Sequence, residues 1–495
     1  MTDVLLAHGF FLRNDPKQIE KMRPYPPLGT LYAASQLRQA GFDVALFDAM
    51  LADGEHELES ALADLRPRIV AFYEDTFHFL NKMCLTHARE ATCRMARLAH
   101  GAGAKVLAAG ADVSDHAPVY FDHGVDAALL GEADHTIVDV VSALLANPKA
   151  TLDGIAGLAL PVLGGSDERR TAARPHERHP DIFPFPAWDL VDIERYRRAW
   201  TKAHGYFSLN MVTTRGCPFH CNWCSKPIWG QQYAMRSPAN VAEEMALIRR
   251  TLAPDHLWFA DDIFGLQPRW VAEFAAEVES RDAAIPFSIQ SRVDLMTEKA
   301  VAALARAGCT EVWLGAESGS QKVLDAMDKG THLEAIPEAR ERLGEAGIKA
   351  CFFLQFGYPG ETWNDILATI ELVRQTLPDD IGVSVSYPLP GTGFHRMVKA
   401  ELNGKDHWDD SRDLAMMFQG TYRTPFYRQL HKVLHQELEV CRQPADAASD
   451  AESERAGRER LEASWARLRR LEVECRSEAP THITKTYAQP SAPDL

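Results

Sequence analysis

Three cysteines, Cys217, Cys221 and Cys224, lie within eight residues at the spacing C-x3-C-x2-C. Thiolates are soft anionic ligands that suit iron–sulfur clusters and zinc. Three of them on one loop can hold three corners of a four-iron cluster and leave the fourth iron open. A structural zinc site needs four closed ligands, and the other six cysteines form no second C-x2-C pair. His220 is placed either as a fourth ligand or as a solvated turn residue, and three free cysteines are the remaining interpretation.

Residues 209–214 are typical of a strand, so the cysteines follow its carboxyl end, where chemistry occurs in parallel α/β barrels. Here the sequence resembles the radical S-adenosylmethionine (SAM) superfamily, whose signature is this spacing with an aromatic residue, here Trp223, before the last cysteine. The resemblance implies a [4Fe–4S] cluster on the three cysteines, with SAM chelating the open iron. One electron from the cluster would then cleave SAM to methionine and a 5′-deoxyadenosyl radical. An electron donor such as flavodoxin or ferredoxin is also implied.

Length and composition predict a large multidomain globular protein. The chain has 495 residues, 46% of them hydrophobic and 25% charged, which favours two to four ordinary domains. Its net charge of −16 argues against a nucleic-acid-binding surface. We find no apolar run of the ~18 residues that a transmembrane segment requires and no signal-peptide pattern. The odd count of nine cysteines without a secretion signal predicts a reducing, cytoplasmic location.

Residues 1–145 alternate strand-like and helix-like segments. Strands are predicted at 4–9, 44–48, 69–73, 105–110 and 127–131, and helices at 28–40, 58–65 and 80–100. This alternation predicts an α/β fold with a doubly wound, Rossmann-like parallel sheet, whose ligands bind beyond the carboxyl ends of the strands. Small and polar residues follow those ends, a composition that ordinary strand-to-helix loops share.

These segments resemble the cobalamin-binding domain that is fused to many radical SAM enzymes. The resemblance rests on residues 26–31, on a Gly-Ala-Asp turn at 110–112, and on the pair Gly131-Glu132. It implies cobalamin contacts at Phe10, Leu28, Gly29, Thr30, Glu74, Asp75, Thr76, Gly110, Ala111, Asp112, Gly131 and Glu132. The sequence has no Asp-x-His-x-x-Gly motif, so the lower axial ligand of cobalt stays open.

Residues 206–395 repeat the alternation. Strands are predicted at 209–214, 256–260, 287–292, 311–315, 349–357 and 382–387. About six strand–helix units predict a partial (β/α)6 barrel, open enough for a large substrate.

Several strand ends in this second domain resemble SAM-contacting segments of the family. Glu317 and Ser318 are expected to bond the ribose or amino group, although Ser318 is also a suitable helix cap. Arg292 is expected to pair with the SAM carboxylate or, alternatively, to form a surface ion pair. Asp261 and Asp262 point to opposite faces of an extended strand, so one of them, Asp261, is expected near the SAM amino group. The full implied set is Trp223, Asp261, Gln290, Arg292, Glu317, Ser318, Gly357 and Tyr358.

The remaining segments are predicted to join or cover these domains. Residues 146–205 read as a connector, and residues 396–476 as a mainly helical segment that either closes a substrate cavity or covers the barrel edge. Within that segment, 452–474 is typical of an amphipathic helix, and residues 477–495 have the composition of a disordered tail.

The domain order resembles that of cobalamin-dependent radical SAM enzymes, which most often methylate an unactivated carbon using two SAM molecules, here of a small-molecule or lipid substrate. It also resembles the anaerobic magnesium-protoporphyrin monomethyl ester cyclase, an oxidative reaction without methyl transfer. A tRNA methylthiotransferase would need a second cysteine triad, which the sequence lacks. A cobalamin or iron–sulfur sensor would need a signalling or DNA-binding module, and the acidic composition indicates none.

Overall fold

A computed structural model of the chain describes residues 2–82, 85–162, 167–226, 228–402, 414–442 and 451–477. Two parallel sheets form its framework, one in each half of the chain. Among the described residues, no helix combines the length and apolar character needed to cross a bilayer.

The first sheet has seven strands. They are β1 (Val4–Ala7), β2 (Val44–Phe47), β3 (Ile69–Tyr73), β4 (Lys105–Ala109), β5 (Ala127–Leu129), β6 (Leu158–Pro161) and β7 (Glu168–Arg170). Their order is β2-β1-β3-β4-β5-β6-β7, with β1–β5 parallel and the last two antiparallel. Alternate residues of β1 pack into two different hydrophobic cores, one on each face of the sheet. Such two-sided burial defines a doubly wound sheet.

Eight helices accompany this sheet. They are α1 (Pro16–Lys21), α2 (Leu28–Gln39), α3 (His56–Leu65), α4 (Phe79–Lys82), α5 (Thr86–Gly101), α6 (Ala111–Phe121), α7 (Asp134–Ala146) and α8 (Ile193–His204). The single helix predicted at 80–100 is two helices, because Leu85 before α5 has extended backbone angles. The interval predicted as a connector, 146–205, supplies β6, β7 and α8. Its strands were hidden from the sequence pattern because they are only three and four residues long.

The second sheet has six parallel strands. The strands of this half are β8 (Ser208–Met211), β9 (Thr214–Arg215), β10 (Ala234–Met235), β11 (His256–Phe259), β12 (Phe287–Ser291), β13 (Cys309–Glu317), β14 (Lys349–Phe356) and β15 (Asp380–Val385). The sheet order is β15-β14-β13-β12-β11-β8, while β9 and β10 form a separate antiparallel pair. This curled half-barrel confirms the predicted partial (β/α)6 barrel, and its carboxyl edge gathers the predicted strand ends.

Helices cover the outer face of the half-barrel. They are α9 (Pro238–Thr251), α10 (Pro268–Ser280), α11 (Glu298–Ala307), α12 (Gln321–Ala326), α13 (Ala335–Glu345) and α14 (Trp363–Thr376), while α15 (Gly393–Val398) packs beside the cysteine loop. Ser237 caps α9 by accepting a hydrogen bond from Asn240 N at 3.2 Å, as its place before a proline predicts. Gly308 ends α11 with φ = +97°, a conformation that favours glycine.

Two helices complete the described chain, α16 (Thr424–Arg442) and α17 (Ala451–Glu474). Leu468 of α17 is fully buried, and its neighbours Leu461, Trp465 and Leu471 pack on the same core, so the amphipathic stripe is confirmed. Residues 403–413, including Trp408, and the predicted disordered tail from residue 478 onward lie outside the described residues.

Candidate active site

The three cysteines lie on a loop at the carboxyl edge of the half-barrel, and β9 and β10 close its base. Gly216, directly before the first cysteine, has φ = +78°, and a Cβ atom there would lie 2.2 Å from the Gln232 carbonyl oxygen. Only glycine is compatible with this turn. Cys217, Cys221 and Cys224 are all free thiols and partly exposed.

Asn222, between the second and third cysteines, fastens the loop to the rest of the half-barrel. Its backbone N–H donates to Met327 O at 3.0 Å, and its side-chain amide donates to Ala326 O at 2.8 Å. Its backbone carbonyl accepts from Phe394 N at 2.8 Å. The Tyr358 hydroxyl lies 2.9 Å from both Asn222 Oδ1 and Ala326 O. These bonds fix the middle of the loop to α12 and to the turn after β14.

The environment raises the pKa of two of the three thiols. Burial raises the pKa of Cys224 to about 12, and the nearby Asp262 carboxylate adds to the rise. Burial also raises the pKa of Cys217, which Lys226 partly opposes. Because a coordinated thiol is deprotonated outright, a bound metal would supply the thiolates that the protein alone disfavours.

Asp261 holds the strand end that precedes the loop. Its carboxylate accepts from Thr213 N and Thr213 Oγ1, both at 2.7 Å, and from Thr214 N at 2.8 Å. Burial raises the pKa of Asp261 to about 6, although these bonds oppose the shift. The expected contact of Asp261 with the SAM amino group stays a prediction, and these three bonds already hold the carboxylate in place. The exposed Asp262 is the acid whose charge reaches the thiols.

A buried ion pair lies beside the loop. Lys329 Nζ donates to Glu317 Oε1 at 2.8 Å, and less than a tenth of either residue is exposed. The ammonium lies 5.9 Å from the centre of the Trp223 ring. Burial lowers the pKa of Lys329, but Glu317 and Cys221 offset this and raise it overall. Gly315 provides the space, since a Cβ atom there would lie 2.6 Å from Nζ.

Arg292 supports the loop from below. Its guanidinium donates to the Asp294 carboxylate at 2.9 Å and to the backbone carbonyls of Lys329 and Gly330 at 2.8 and 3.2 Å. Its carbon centre lies 3.8 Å from the centre of the Phe219 ring. With its donors so engaged, Arg292 does not offer the SAM carboxylate the expected bidentate pair.

Two further expected SAM ligands also have structural partners. Ser318 is fully buried, with Oγ 3.2 Å from Thr369 Oγ1 and accepting from Ser320 N at 3.1 Å. Its alternative interpretation as a helix cap is wrong, because Ser320 and not Ser318 directly precedes α12. The Tyr358 hydroxyl is committed to Asn222 and therefore positions the loop.

The other expected SAM residues are less committed to structural contacts. Trp223 is half-buried, and its indole N–H is buried without a hydrogen-bond partner among the described residues. Gln290 is half-buried on β12. Gly357 has φ = +79° and donates its N–H to Glu361 Oε2 at 2.6 Å.

All twelve residues expected at cobalamin lie at the carboxyl edge of the first sheet or at the start of α2. Asp75 accepts from the N–H groups of Leu28, Gly29 and Phe77 at 3.0–3.2 Å and so caps α2. Thr30 Oγ1 donates to the Tyr73 carbonyl at 2.6 Å. Both side chains form hydrogen bonds with backbone groups of this edge. We therefore expect a ligand here to contact the backbone.

The remaining acids of this edge are also paired. Glu74 accepts from Gly9 N at 2.9 Å and from Thr92 Oγ1 at 3.0 Å. Asp112 is paired with Arg89 and accepts from the Tyr120 hydroxyl at 2.6 Å. Phe10 is buried against histidine rings, and Thr76, Gly110 and Ala111 are buried at the same edge.

A buried cation joins the two halves of the chain. Arg215, two residues before Cys217, lies 2.5 Å from Glu132 Oε1 and 2.9 Å from Asp134 Oδ2. Trp229 Nε1, after the cysteines, lies 3.3 Å from the same Glu132 oxygen. Burial lowers the pKa of Arg215, but Asp134 and Glu132 outweigh it and raise the pKa above its usual value. Glu132, expected at cobalamin, is thus occupied by the base of the cysteine loop.

The geometry agrees with two family matches. Residues 211–373 match the radical SAM superfamily, and residues 23–141 match the B12 binding domain. The first range contains the cysteine loop and the strand ends around it, and the second contains the edge that Arg215 contacts. This chain is a radical SAM enzyme with a B12-binding domain. The predicted family and fold are confirmed.

This radical SAM enzyme has relatives of two named activities. It is 27% identical over 372 residues to an uncharacterized methyltransferase of Pyrococcus horikoshii, covering 74% of this chain and 77% of the relative. It is 26% identical over 377 residues to the anaerobic magnesium-protoporphyrin IX monomethyl ester cyclase of Rubrivivax gelatinosus, covering 74% of this chain but only 65% of the cyclase. The radical SAM methyltransferase TsrM of Kitasatospora setae, solved with cobalamin and a [4Fe-4S] cluster, superposes with a TM-score of 0.69 at 17% identity, covering 94% of this chain and 100% of TsrM. That likeness shows a shared fold.

The cysteine loop of this radical SAM enzyme fits a cluster better than a single ion. Within the described ranges, no three His, Cys, Asp or Glu side chains converge to hold one metal ion. A cubane needs no such convergence, because each thiolate binds a different iron. His220 is exposed at the rim of the loop. The donor set of Cys217, Cys221 and Cys224 therefore fits three corners of a [4Fe–4S] cluster.

The surroundings also fit the two organic cofactors. Lys329 offers an ammonium and Trp223 an unmatched N–H, which suit the carboxylate and hydroxyl oxygens of SAM. At the first sheet, the buried Asn81 Oδ1 has no partner among the described residues, and corrin side chains carry amide N–H donors. At Gly131, with φ = +65°, the only atom of the described residues within 4 Å of an added Cβ would be Ile228 O, at 3.6 Å, so the backbone is open to close approach.

The sequence does not predict the roles of three residues of this enzyme. Lys329, Asn222 and Arg215 act through partners 12 to 136 residues away in the chain. Lys329 follows an acid and Arg215 lies between a threonine and a glycine, and such local patterns are common in loops. Asn222 lies inside the cysteine loop, but its residue type alone predicts no role there.

Proposed function

We propose that this radical SAM enzyme methylates an unactivated carbon of a small-molecule or lipid substrate. Cys217, Cys221 and Cys224 hold a [4Fe–4S] cluster, SAM lies beside Glu317 and Lys329, and cobalamin lies between the first sheet and the loop. When bound, the cluster supplies the electron that cleaves SAM, and cobalamin carries the methyl group. The relatives named methyltransferase support this reaction.

One observation carries the proposal: three free thiols lie on a loop whose base is joined by a buried ion pair to the B12-binding domain. The protein's own residues then have distinct tasks. Arg215 keeps the loop facing the edge of the first sheet, and Asn222 fixes the loop's middle. Lys329 is placed to orient the SAM carboxylate, the task expected of Arg292.

The proposal extends to partners and organisation. A one-electron donor such as flavodoxin or ferredoxin reduces the cluster, and a reducing cytoplasm suits the free cysteines found among the described residues. We keep the domain boundaries 1–145, 146–205, 206–395 and 396–476. The first sheet also takes two strands from the second of these segments.

Anaerobic reconstitution with SAM labelled in its methyl group tests the reaction. We expect 5′-deoxyadenosine together with label in the product. Formation of 5′-deoxyadenosine with an oxidised, unlabelled product would instead assign the reaction of the cyclase relative. Cys221→Ala should abolish SAM cleavage and leave cobalamin bound, because Arg215 and Trp229, which join the loop to the first domain, are unchanged. Retained cleavage in that variant would contradict the cluster assignment.

A further inference from the structure

The inner face of the half-barrel differs sharply from its outer face along β13 and β14. Val312 and Leu314 point outward into the helix-covered core and have no exposed surface. Trp313, between them, is partly exposed, and so is Phe353 on the next strand. Because side chains alternate along a strand, both aromatic residues lie on the inner face.

These two rings stack face to face on the inner side of the half-barrel. Their centroids are 4.8 Å apart and their planes are inclined by 27°. On β15, a Cβ atom at Gly382 would lie 2.9 Å from the Phe353 ring and 3.3 Å from the Trp313 ring. The rings therefore spread over three strands, and we call Trp313, Phe353 and Gly382 the aromatic wall.

Two unmatched polar atoms lie above the aromatic wall. Gln355, two residues beyond Phe353 on the same face, is 4% exposed, and its Oε1 has no hydrogen-bond partner among the described residues. Ser386, directly after β15, is 1% exposed, and its Oγ is likewise unmatched. A buried unmatched oxygen costs about 1–3 kcal/mol, so both atoms favour a ligand that brings a hydrogen-bond donor.

The acid Glu311 borders the aromatic wall. Its Oε1 accepts the Trp313 indole N–H at 2.8 Å. Among the described residues Glu311 has no ion-pair partner, so an anionic ligand would meet an uncompensated carboxylate and the site selects against negative charge.

We propose that the aromatic wall is the substrate site and that the substrate is a neutral molecule with a flat apolar ring system and a hydroxyl or N–H group. This inference rests on the proposed function. The flat face of the substrate packs against the exposed part of the Trp313–Phe353 stack, and its donor bonds Gln355 or Ser386. At ~3.3 Å per residue, Trp313 lies ~13 Å along β13 from Glu317, so the wall lies deeper in the half-barrel than the proposed SAM site.

Equilibrium dialysis with three matched naphthalenes tests the inference. The full chain, reconstituted anaerobically with cluster and cobalamin, is dialysed against 2-naphthol, naphthalene and naphthalene-2-sulfonate. We expect 2-naphthol to bind at one site, about five-fold tighter than naphthalene because of one buried hydrogen bond. The sulfonate should bind at least about ten-fold more weakly than 2-naphthol. Equal or tighter binding of the sulfonate would overturn the assigned chemistry.

Variants locate the site. Trp313→Ala and the milder Phe353→Leu should each weaken 2-naphthol binding, Trp313→Ala by about ten-fold, since stacking and apolar burial are lost. Gln355→Leu should remove the preference for 2-naphthol over naphthalene. Phe121→Ala, a partly exposed aromatic of the first domain, is the control and should leave binding unchanged. Unchanged binding in both wall variants would refute the site.

S-adenosylhomocysteine separates this site from that of SAM, because adenine is also flat and carries an amino group. The proposal expects 2-naphthol to bind in its presence, and competitive displacement would assign the aromatic wall to adenine instead. Dialysis needs no turnover. Failure of the proposed methylation would therefore leave these binding results standing, and absent binding would leave SAM cleavage standing.

Discussion

Arg215→Met is the perturbation that the structure predicts most sharply. Arg215 is 4% exposed and carries one positive charge between two buried acidic residues, Glu132 and Asp134, which are 6% and 5% exposed. Methionine keeps much of the volume and the apolar contact with Phe183, whose ring centre lies 4.0 Å from the guanidinium carbon. The change therefore removes the charge and leaves two buried carboxylates unpaired.

The expected loss in the free energy of unfolding follows from these two unpaired charges. Removing one partner of a buried ion pair costs about 3–5 kcal/mol, because the remaining charge keeps its desolvation penalty. Domains are commonly stable by only about 5–15 kcal/mol, so Arg215→Met should shift the unfolding midpoint in guanidinium chloride substantially. Glu132 also accepts from Glu177 N at 2.7 Å, which partly compensates its charge and favours the lower part of the range.

Two comparisons make the result interpretable. Arg38→Met removes the cation of an ion pair with Asp189 at 2.8 Å, whose side chains are 36% and 70% exposed, and should cost at most about 1 kcal/mol. The triple variant Arg215→Met, Glu132→Gln, Asp134→Asn removes all three charges and should recover part of the lost stability. If Arg215→Met shifted the midpoint no more than Arg38→Met, the junction would not depend on this ion pair.

Lys329→Met should destabilise the chain by about 3–5 kcal/mol and weaken SAM binding at least ten-fold. Adding Glu317→Gln should restore stability without restoring SAM binding. Denaturation measures the stability, and equilibrium dialysis measures SAM binding. Burial raises the pKa of Glu361 to about 8, above the ordinary 4.5, so the folded chain holds a proton there that the unfolded chain releases. The free energy of unfolding should therefore fall as pH rises from about 4.5 to 8, by up to about 1.4 kcal/mol per pH unit, and Glu361→Gln should flatten this slope in denaturant titrations; an unchanged slope would refute the assignment. Asn222→Leu should lower the iron bound per chain after reconstitution, whereas Tyr358→Phe, which removes one hydroxyl partner of Asn222, should cost about 1 kcal/mol and keep the iron; full iron content in Asn222→Leu would contradict its anchoring role.

The sequence predicts those features that depend on neighbours along the chain. Apolar runs such as 69–73 and 105–109 become buried strands because a covered parallel sheet requires apolar residues on both faces. The cysteine spacing identifies the metal loop because ligand chemistry needs those residue types close together. The strands of 158–161 and 168–170 were missed because they are too short to show a pattern, and their pairing, β6 to β5 and β7 to β6, makes them strands.

The roles of charged side chains depend on contacts that no local pattern contains. Glu132 follows a strand end, where a ligand-binding acid is expected. In the structure it pairs instead with Arg215, 83 residues away in the chain. Asp261 and Asp262 are adjacent, and only the tertiary contacts of Thr213 show which one is buried. Arg292 was expected to face SAM because it ends a strand, but carbonyls of the segment after α12 capture its donors.

The metal content of the cysteine loop tests the central claim most directly. We expect anaerobically reconstituted protein to hold about four iron atoms per chain and to change its electron paramagnetic resonance spectrum when SAM is added, because the open iron gains a ligand. The variant Cys217→Ala, Cys221→Ala, Cys224→Ala should bind no cluster. Zinc at one atom per chain, or an iron spectrum indifferent to SAM, would contradict the account.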